Sequence, residues 1–321
     1  NGFNGIDNIA IGNKPLLNCT TGDLNVALGS ESLTTNTTGD SNISIGTKTL
    51  HDNESGGNNI AIGTDALYSN IDTSYNIAVG WNTLYSNKEN WNIAIGYESQ
   101  KEGTTADKNT SLGHQALQLN ELGTGNTAVG WMSQRTTNAG VTGLASYNTS
   151  LGHRSLEQNL SGKANVAIGS NALQYNNDND YNVAVGYQAL QMSTSVTVLD
   201  ANGNTAIGRQ SMKHHYSNAI SNNIQGNTAL GYKSLFSEHS GITQDNVAIG
   251  SHSMVDLSDN SYRNISIGNM SLSTGKVLDN VAIGNKALAR ENIPTDSITE
   301  SEITGNVAIG TESLYQDVSG N

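Results

Sequence analysis

One five-residue phrase, Asn-[Ile/Val/Thr]-[Ala/Ser]-[Ile/Leu/Val]-Gly, recurs 17 times along this chain of 321 residues. A repeat of short, nearly fixed period is the signature of an array of one structural unit, so it constrains the fold more than any local pattern. An array places like residues in rows, whereas a catalytic site needs unlike residues to converge. We therefore expect no enzyme. The phrases begin at Asn8, Asn25, Asn42, Asn59, Asn76, Asn92, Asn109, Asn126, Asn148, Asn165, Asn182, Asn204, Asn227, Asn246, Asn264, Asn280 and Asn306.

The first spacings between phrases are 16 or 17 residues, which is too short for a helix, a strand and two turns. Such a coil can hold two strands of about five residues and two tight turns, because a strand rises roughly 3.3 Å per residue. Branched residues that alternate with a small one favour a strand, and Gly suits the turn that ends it. The repeat predicts an all-β fold, a parallel β-roll or β-solenoid of about 17 short coils. We expect a single repeat-built domain over residues 1–321 that is a segment of a longer fibre protein.

Stacked coils would place identical side chains in rows about 4.8 Å apart. The recurring Asn then fits an amide ladder, in which each side chain bonds the next one and satisfies polar groups at the strand end. A turn former that tolerates left-handed φ is the alternative. Either interpretation makes this Asn architectural.

Neither face of the repeat strand has the composition of a solvent-exposed face. A half-exposed strand alternates apolar with charged or large polar residues, and none of the 17 copies does so. One face must fill the roll and the other must pack on something else. We therefore predict a homo-oligomer with these strands facing its axis. The pattern leaves open whether the Ala row or the Ile/Val rows face inward.

Composition excludes several partners. The formal net charge is −13 and the longest basic cluster is Lys213-His214-His215, so a nucleic-acid partner is not expected. The single cysteine, Cys19, cannot form an intramolecular disulfide, and no Cys/His spacing suggests a metal or cofactor site. No run of 18 apolar residues is present, so this segment is not expected to insert into a membrane.

The phrase resembles the Val-Ala-Ile-Gly phrase of head repeats in trimeric autotransporter adhesins (YadA-like), and the copies at 165–169, 280–284 and 306–310 carry that likeness. Similar repeats, of the form seen in residues 182–190, occur in phage tail fibres and related bacterial surface fibres. The resemblance implies a left-handed parallel β-roll assembled as a homotrimer, located extracellularly on a cell surface or in a virion fibre. The repeat here is longer than the typical adhesin head repeat, and no heptad pattern of a stalk is present.

Function is expected where the repeat changes, because packing explains its regular positions. Over a block of nine consecutive coils the residue directly after the repeat Gly is aromatic or basic in eight coils and Ser in one, and it is small or polar elsewhere. In stacked coils this block forms one stripe with rings about one strand spacing apart. It suits a glycan or protein receptor, or else it is a stacking ladder that shields a turn or a subunit seam. The block comprises Trp81, Tyr97, His114, Trp131, His153, Ser170, Tyr187, Arg209 and Tyr232.

Four longer connections must loop outward, since the coil cannot absorb the extra residues. Surface loops on a rigid scaffold often carry recognition, although solenoids also tolerate neutral insertions. These loops are Arg135 to Tyr147, Gln191 to Gly203, Lys213 to Gly226 and Ala289 to Gly305.

The sequence thus favours a structural and adhesive fibre segment that presents a recognition surface for attachment to a cell or host. A phage tail fibre shaft, with binding done elsewhere, is one alternative. An ice-binding solenoid is another, but it needs a regular exposed Thr array. The Thr residues of the phrase are intermittent and lie in the strand expected to be buried: Thr110, Thr127, Thr149, Thr205 and Thr228. A polysaccharide-cleaving solenoid would need acids clustered in a groove, whereas here they lie mainly in predicted turns.

Overall fold

The computed structural model describes residues 4–135, 145–192, 199–213, 222–236, 243–255, 261–273, 276–291 and 303–317. These residues form strands and turns, with no helix among them. The chain divides into two compact units, Asn1–Lys163 and Ala164–Asn321. The expectation of a single domain over residues 1–321 stays a prediction.

Unit 1 contains one three-residue strand in each coil. Consecutive strands pair in parallel and in residue-for-residue register, so that Ile60 faces Ile77 and Ala61 faces Ala78. This is the stacking that the repeat predicts. The strands are β1 (Ile9–Ile11), β2 (Val26–Leu28), β3 (Ile43–Ile45), β4 (Ile60–Ile62), β5 (Ile77–Val79), β6 (Ile93–Ile95), β7 (Thr110–Leu112), β8 (Thr127–Val129) and β9 (Thr149–Leu151).

Unit 2 also has phrase strands, together with a second parallel sheet of very short strands, each separated from the following phrase by one to three residues. In chain order its strands are β10 (Val166–Ile168), β11 (Val183–Val185), β12 (Leu199–Asp200), β13 (Thr205–Ile207), β14 (Asn222–Gln225), β15 (Thr228–Leu230), β16 (Thr243–Gln244), β17 (Val247–Ile249), β18 (Ser261–Tyr262), β19 (Ile265–Ile267), β20 (Val277–Leu278), β21 (Val281–Ile283), β22 (Arg290–Glu291), β23 (Ile303–Thr304), β24 (Val307–Ile309) and β25 (Gln316–Asp317). The second sheet holds β12, β14, β16, β18, β20 and β23, and β22 pairs with β25. The predicted all-β parallel solenoid is therefore confirmed.

The expected two five-residue strands per coil are wrong for unit 1. After the repeat Gly the chain turns, because alternate residues adopt left-handed φ, for example 56° at Asp65 and 52° at Leu67. A strand cannot contain such residues. The turns are held by bonds to the neighbouring coil instead: the Leu67 N–H donates to Thr83 O at 3.0 Å and the Asp65 N–H to Thr47 O at 3.0 Å.

The Ala/Ser row faces inward, which answers the question that the sequence left open. Ala61 and Ala78 are fully buried, as are Leu67 and Leu84 on the opposite wall of the coil. The interior of a coil is therefore narrow, and the larger aliphatic residues of the phrase point outward.

Serine replaces alanine in four phrase strands, and each buried hydroxyl has a matched partner. Ser44 lies 2.7 Å from Ser32 of the preceding coil, Oγ to Oγ. The same 2.7 Å contact recurs at Ser111–Ser99, Ser150–Ser133 and Ser266–Ser253. Pairing satisfies a polar group that would otherwise be costly to bury.

The predicted amide ladder is confirmed. The Oδ1 of Asn42 accepts from both the backbone N and the Nδ2 of Asn59, each at 3.1 Å. The Nδ2 of Asn42 donates to Gly56 O at 2.9 Å. Both side chains are fully buried, so each amide links adjacent coils and satisfies a backbone carbonyl.

A second amide ladder, which the sequence analysis missed, runs three residues after the buried Leu. The Nδ2 of Asn53 donates to Asn36 Oδ1 and the Nδ2 of Asn70 donates to Asn53 Oδ1, both at 2.8 Å. The coil of residues 92–108 departs from this pattern at both positions: Gly103 stands at the ladder position and Gln100 stands at the Leu position. The Nε2 of the fully buried Gln100 donates to Asn92 Oδ1 at 3.0 Å, so that its amide replaces the missing asparagine.

The repeat Gly is required by close approach as well as by φ. Gly63 has φ 125°, and a Cβ on it would lie 2.4 Å from the carbonyl oxygen of Gly80 in the next coil. Any side chain there would separate two coils.

Candidate functional site

An apolar outer face runs along the phrase strands of each unit. It consists of the second and fourth residues of each phrase, on either side of the buried Ala or Ser. Ile45, Ile62 and Ile95 remain 36–37% exposed, and Leu112 and Leu151 remain 46–47% exposed. An isolated chain thus leaves rows of branched aliphatic side chains in water, which monomeric proteins rarely do over a contiguous patch.

The post-Gly stripe, defined by the residues directly after each repeat Gly, lies at the carboxyl end of the strands. In unit 1 its rings stack in coil order, as the sequence predicts. The centroid distances are 5.0 Å for Trp81–Tyr97, 4.8 Å for Tyr97–His114, 6.3 Å for His114–Trp131 and 4.8 Å for Trp131–His153. His114 and His153 are separated by the Trp131 ring, so they are not neighbours.

Stacking determines what this stripe can contact. Each inner ring has its faces covered by its neighbours, so a ligand reaches the ring edges. The edges are open, since Trp81, Tyr97 and Trp131 are 38–43% exposed. The Arg154 Cζ also lies 5.3 Å from the Trp131 centroid, which adds a cation–π contact. A sugar laid flat on an inner ring face is therefore excluded, whereas hydrogen bonds to indole, phenol and imidazole edges are open.

In unit 2 the post-Gly stripe contains aromatic, basic and small polar residues. Tyr187 and Tyr232 are exposed, and Arg209 lies over the Tyr232 ring with its Cζ 5.5 Å from the centroid. Tyr232 also meets His252 edge-on at 5.0 Å. Ser170 is half-buried. The predicted stripe is thus a continuous ring stack only in unit 1.

A second stripe, missed by the sequence analysis, lies at the amino end of the strands. This pre-Asn stripe comprises the residues directly before each repeat Asn. Its large members are more exposed than those of the post-Gly stripe, from 53% to 69%. The Tyr75 and Trp91 rings stack at 6.3 Å, and Lys108 Nζ lies 5.5 Å from the Trp91 centroid. The stripe includes Leu24, Tyr75, Trp91, Lys108, Tyr147 and Tyr181.

The backbone aims the pre-Asn stripe outward. Tyr75, Trp91 and Tyr147 adopt left-handed φ of 58° to 62°, which is unusual for residues with large side chains. The buried amide ladder begins one residue later and fixes this conformation. Alignment of the residue before each phrase would have revealed the stripe, since both positions become aromatic from the same coil on. Each of its aromatic residues, Tyr75, Trp91, Tyr147 and Tyr181, also lies in a coil with a ring after the Gly.

A third, half-buried stack lies on the turn side of unit 1, after the core Leu. His51 stacks on Tyr68 at 5.0 Å and Tyr68 on Tyr85 at 5.1 Å. Burial raises the pKa of the Tyr68 phenol above its ordinary value, and the charge of Asp52 adds to this effect. The interlocked rings shield the turns.

Beyond this stack a polar network surrounds Glu98, whose side chain is nearly buried. Its carboxylate accepts from Gln115 Nε2 at 3.0 Å and from Gln118 Nε2 at 2.6 Å, and it pairs with Lys101 at 3.3 Å. Gln118 Oε1 in turn accepts from Arg135 Nε at 2.9 Å. This carboxylate already has three partners, so we interpret the network as structural, a set of hydrogen bonds that links three coils.

The predicted recognition loops fall largely outside the described residues, and so do His214 and His215. The portions concerned are 136–144, 193–198, 214–221 and 292–302. Within the residues that the structure describes, no group of three or more His, Cys, Asp or Glu side chains could hold a metal ion. The same residues contain no helix long and apolar enough to cross a membrane.

Comparison of the chain with protein-family models, curated proteins and solved structures found no match.

Proposed function

We propose that this chain is a structural and adhesive segment of an extracellular fibre, on a cell surface or a virion. In this proposal the coils are left-handed, and three copies assemble as a homotrimer with their outer faces toward a common axis. The proposal follows the resemblance to head repeats of trimeric autotransporter adhesins. The single observation that supports it best is the exposed outer face.

The size of that face suits a subunit interface. Nine strands spaced about 4.8 Å apart, each about 10 Å long, give unit 1 a footprint on the order of 400 Å². Burying the exposed two-fifths of each aliphatic side chain contributes about 0.8 kcal/mol, or on the order of 10 kcal/mol for unit 1. Association costs about 4–15 kcal/mol, so rows of this length can offset it whereas isolated exposed residues cannot.

The test of assembly is a double substitution, Ile62→Ser with Ile95→Ser. Both side chains lie on the outer face, and their removal costs a monomer less than the loss of a core Ile would, because more than a third of each residue is already in water. We expect a folded protein whose mass by native mass spectrometry falls from three copies to one. The matched control is Ile71→Ser, which removes a similarly exposed Ile from a turn and should leave the trimer intact. A wild-type protein that is monomeric at micromolar concentration would refute the proposal.

The post-Gly stripe is the proposed recognition surface, for a cell-surface glycan or protein receptor that bonds to ring edges. The variant Trp81→Ser, Trp131→Ser, Tyr187→Ser should stay folded and lose attachment to cells or immobilised glycans. Unchanged attachment by the folded variant would leave a fibre shaft with binding done elsewhere as the function.

One observation favours a second candidate function, an ice-binding solenoid. Thr110, Thr127 and Thr149 occupy consecutive coils of the outer face, and Thr127 and Thr149 are exposed in the single chain. In the proposed trimer they would be covered. An ice-recrystallisation assay separates the two functions, because inhibition requires the outer face to meet water.

A further inference from the structure

The large residues of the two stripes begin at the same coil, and the stripes are matched in part. Every coil with an aromatic ring before its Asn also carries a ring after its Gly, and the coil with Ala at the first position has Ser at the second. The first four coils carry no ring at either position. The matched pairs are Tyr75 with Trp81, Trp91 with Tyr97, Lys108 with His114, Tyr147 with His153, Ala164 with Ser170, and Tyr181 with Tyr187. Three coils of the same block have Gly before the Asn instead: Gly125 with Trp131, Gly203 with Arg209 and Gly226 with Tyr232.

Contact within one chain does not explain this match. The paired positions lie six residues apart, at opposite ends of one strand, on the order of 20 Å along extended backbone. The rings of each stripe instead stack on their own stripe, as Trp81 does on Tyr97 and Tyr75 on Trp91. Stacking explains why each stripe continues from coil to coil. It does not explain why both stripes begin at the same coil.

Symmetry supplies an explanation. Suppose that identical chains surround an axis that runs along the coil stack. Each chain then turns the carboxyl ends of its phrase strands toward one neighbour and their amino ends toward the other neighbour. The carboxyl end of a strand in one chain then meets the amino end of the strand in the same coil of the next chain. A two-fold axis perpendicular to the stack would instead pair strand ends of the same kind, and the coils of the second chain would run in the opposite order. Only the first arrangement makes the two positions of one coil partners.

We infer that the post-Gly stripe of one copy packs against the pre-Asn stripe of the next copy, level by level, and forms the seam between subunits. This inference rests on the proposed homotrimer and names the partner of its recognition surface: a second copy of this chain. A receptor that binds the stripe therefore meets side chains from two subunits at once.

The chemistry of the two stripes is complementary. Ring edges of Trp81 meet Tyr75 in one coil, and Tyr97 meets Trp91 in the next, so each of these two seam levels joins one indole to one phenol. Such edge contacts contribute beyond the buried area itself. Where the post-Gly residue is Trp131, the pre-Asn residue of that coil is Gly125, and the Tyr147 ring of the next coil lies against that glycine. Both stripes are exposed in the single chain and thus accessible to a neighbour.

The test uses cysteine pairs in a Cys19→Ser background, treated with a short bis-maleimide linker. The matched variant combines Tyr75→Cys with Trp81→Cys. These positions are too far apart to bridge within one chain, so bridging across all three seams gives a covalent trimer on a denaturing gel. The mismatched control combines Tyr75→Cys with His153→Cys, whose levels differ by four coils, roughly 19 Å. It should remain monomeric on the gel.

The outcomes separate the seam from the trimer. No bridging in the matched variant, with a trimer by native mass spectrometry, overturns the seam and leaves the trimer standing. A monomer by mass spectrometry overturns both. Dimers from either single cysteine variant would show that like stripes meet, which also refutes the seam.

A charge exchange guards against cysteine variants that perturb the fold. Trp81→Lys alone and Tyr75→Glu alone should each weaken the trimer, whereas the combined variant should regain it because the two charges meet across the seam. Additive weakening in the combined variant would contradict the inference.

Discussion

The departure at Gln100 and Gly103 offers a sharp test of how the coils pack. In the regular coils a buried Leu is followed three residues later by a ladder Asn, whose amide donates to a carbonyl three residues further on, as Asn36 does to Gly39 O at 3.0 Å. Here both positions change together. A Cβ at Gly103 would lie 3.1 Å from Gln100 Nε2 and 3.2 Å from its Cγ, so the Gly makes space for the Gln.

The magnitudes follow from these contacts. Gly103→Asn alone should destabilise the protein by about 2 kcal/mol, as overpacking does in a close-packed interior. Gln100→Leu alone removes two hydrogen bonds, to Asn92 Oδ1 at 3.0 Å and to Ala106 O at 3.4 Å. Together they are worth about 1 kcal/mol, because each acceptor keeps another donor. The substitution also removes the buried Gln100 Oε1, which has no partner within the described residues and costs about 1–3 kcal/mol. The single Leu variant should therefore be more stable by about 1 kcal/mol.

Together the two substitutions restore the regular coil. In the Gln100→Leu background, Gly103→Asn should stabilise by about 1 kcal/mol, because it rebuilds the ladder amide. The sign of one substitution thus reverses with its background, and the coupling free energy is about 3 kcal/mol, at the upper end for contacting residues. Urea unfolding followed by far-ultraviolet circular dichroism measures it, at one protein concentration because assembly adds to stability. A coupling below about 0.5 kcal/mol would refute this account of the core.

Three further outcomes are expected. Gln134→Leu should stabilise by about 1–3 kcal/mol in the same assay, because both amide atoms of this buried Gln lack partners in the described structure, whereas Leu117→Gln should destabilise. Asn59→Ala should cost about 3 kcal/mol, since it leaves the buried N–H of Asn76 without its acceptor and removes the two bonds that Asn59 Nδ2 donates, to Asn42 Oδ1 and to Thr73 O; an effect under 1 kcal/mol would contradict the ladder's role. The raised pKa of Tyr68 means that the folded state keeps a proton that the unfolded chain loses, so its contribution to stability is present below about pH 10 and is lost as pH rises through the folded-state pKa. Tyr68→Phe should reduce this alkaline loss in pH-dependent unfolding, and an unchanged slope would exclude Tyr68 as its source.

The sequence predicted what depends on one coil and its exact copy. The parallel register, the amide ladder of Asn42 and Asn59, and the stacking of Trp81 on Tyr97 all follow from a residue type recurring at one position. The predicted second strand failed because left-handed φ at residues such as Leu67 carries no sequence signal. Bonds to the next coil impose that conformation, and only the stacked structure supplies them.

Other features depend on neighbouring positions in different coils. Ser44 is the third residue of its phrase, and its partner Ser32 lies directly before the core Leu of the preceding coil. These two positions are far apart in the repeat, so their pairing is evident only once the stacking geometry is known. The pre-Asn stripe could not be predicted to be exposed, for a related reason: its exposure depends on the backbone of the stacked structure. Its position also holds Asp, Ser, Lys and Gly, and the left-handed backbone that exposes Tyr75 and Trp91 is not encoded by either residue alone.

The contact between Gly63 and Gly80 is repeated, nearly unchanged, between the Gly residues of successive coils. Each coil meets only the coil before and the coil after, so the loss or duplication of a whole coil would recreate contacts already present. The number of coils can then change in evolution without any new packing solution being needed. Each added coil extends the stack by about 4.8 Å, so its reach is set by copy number in fixed increments.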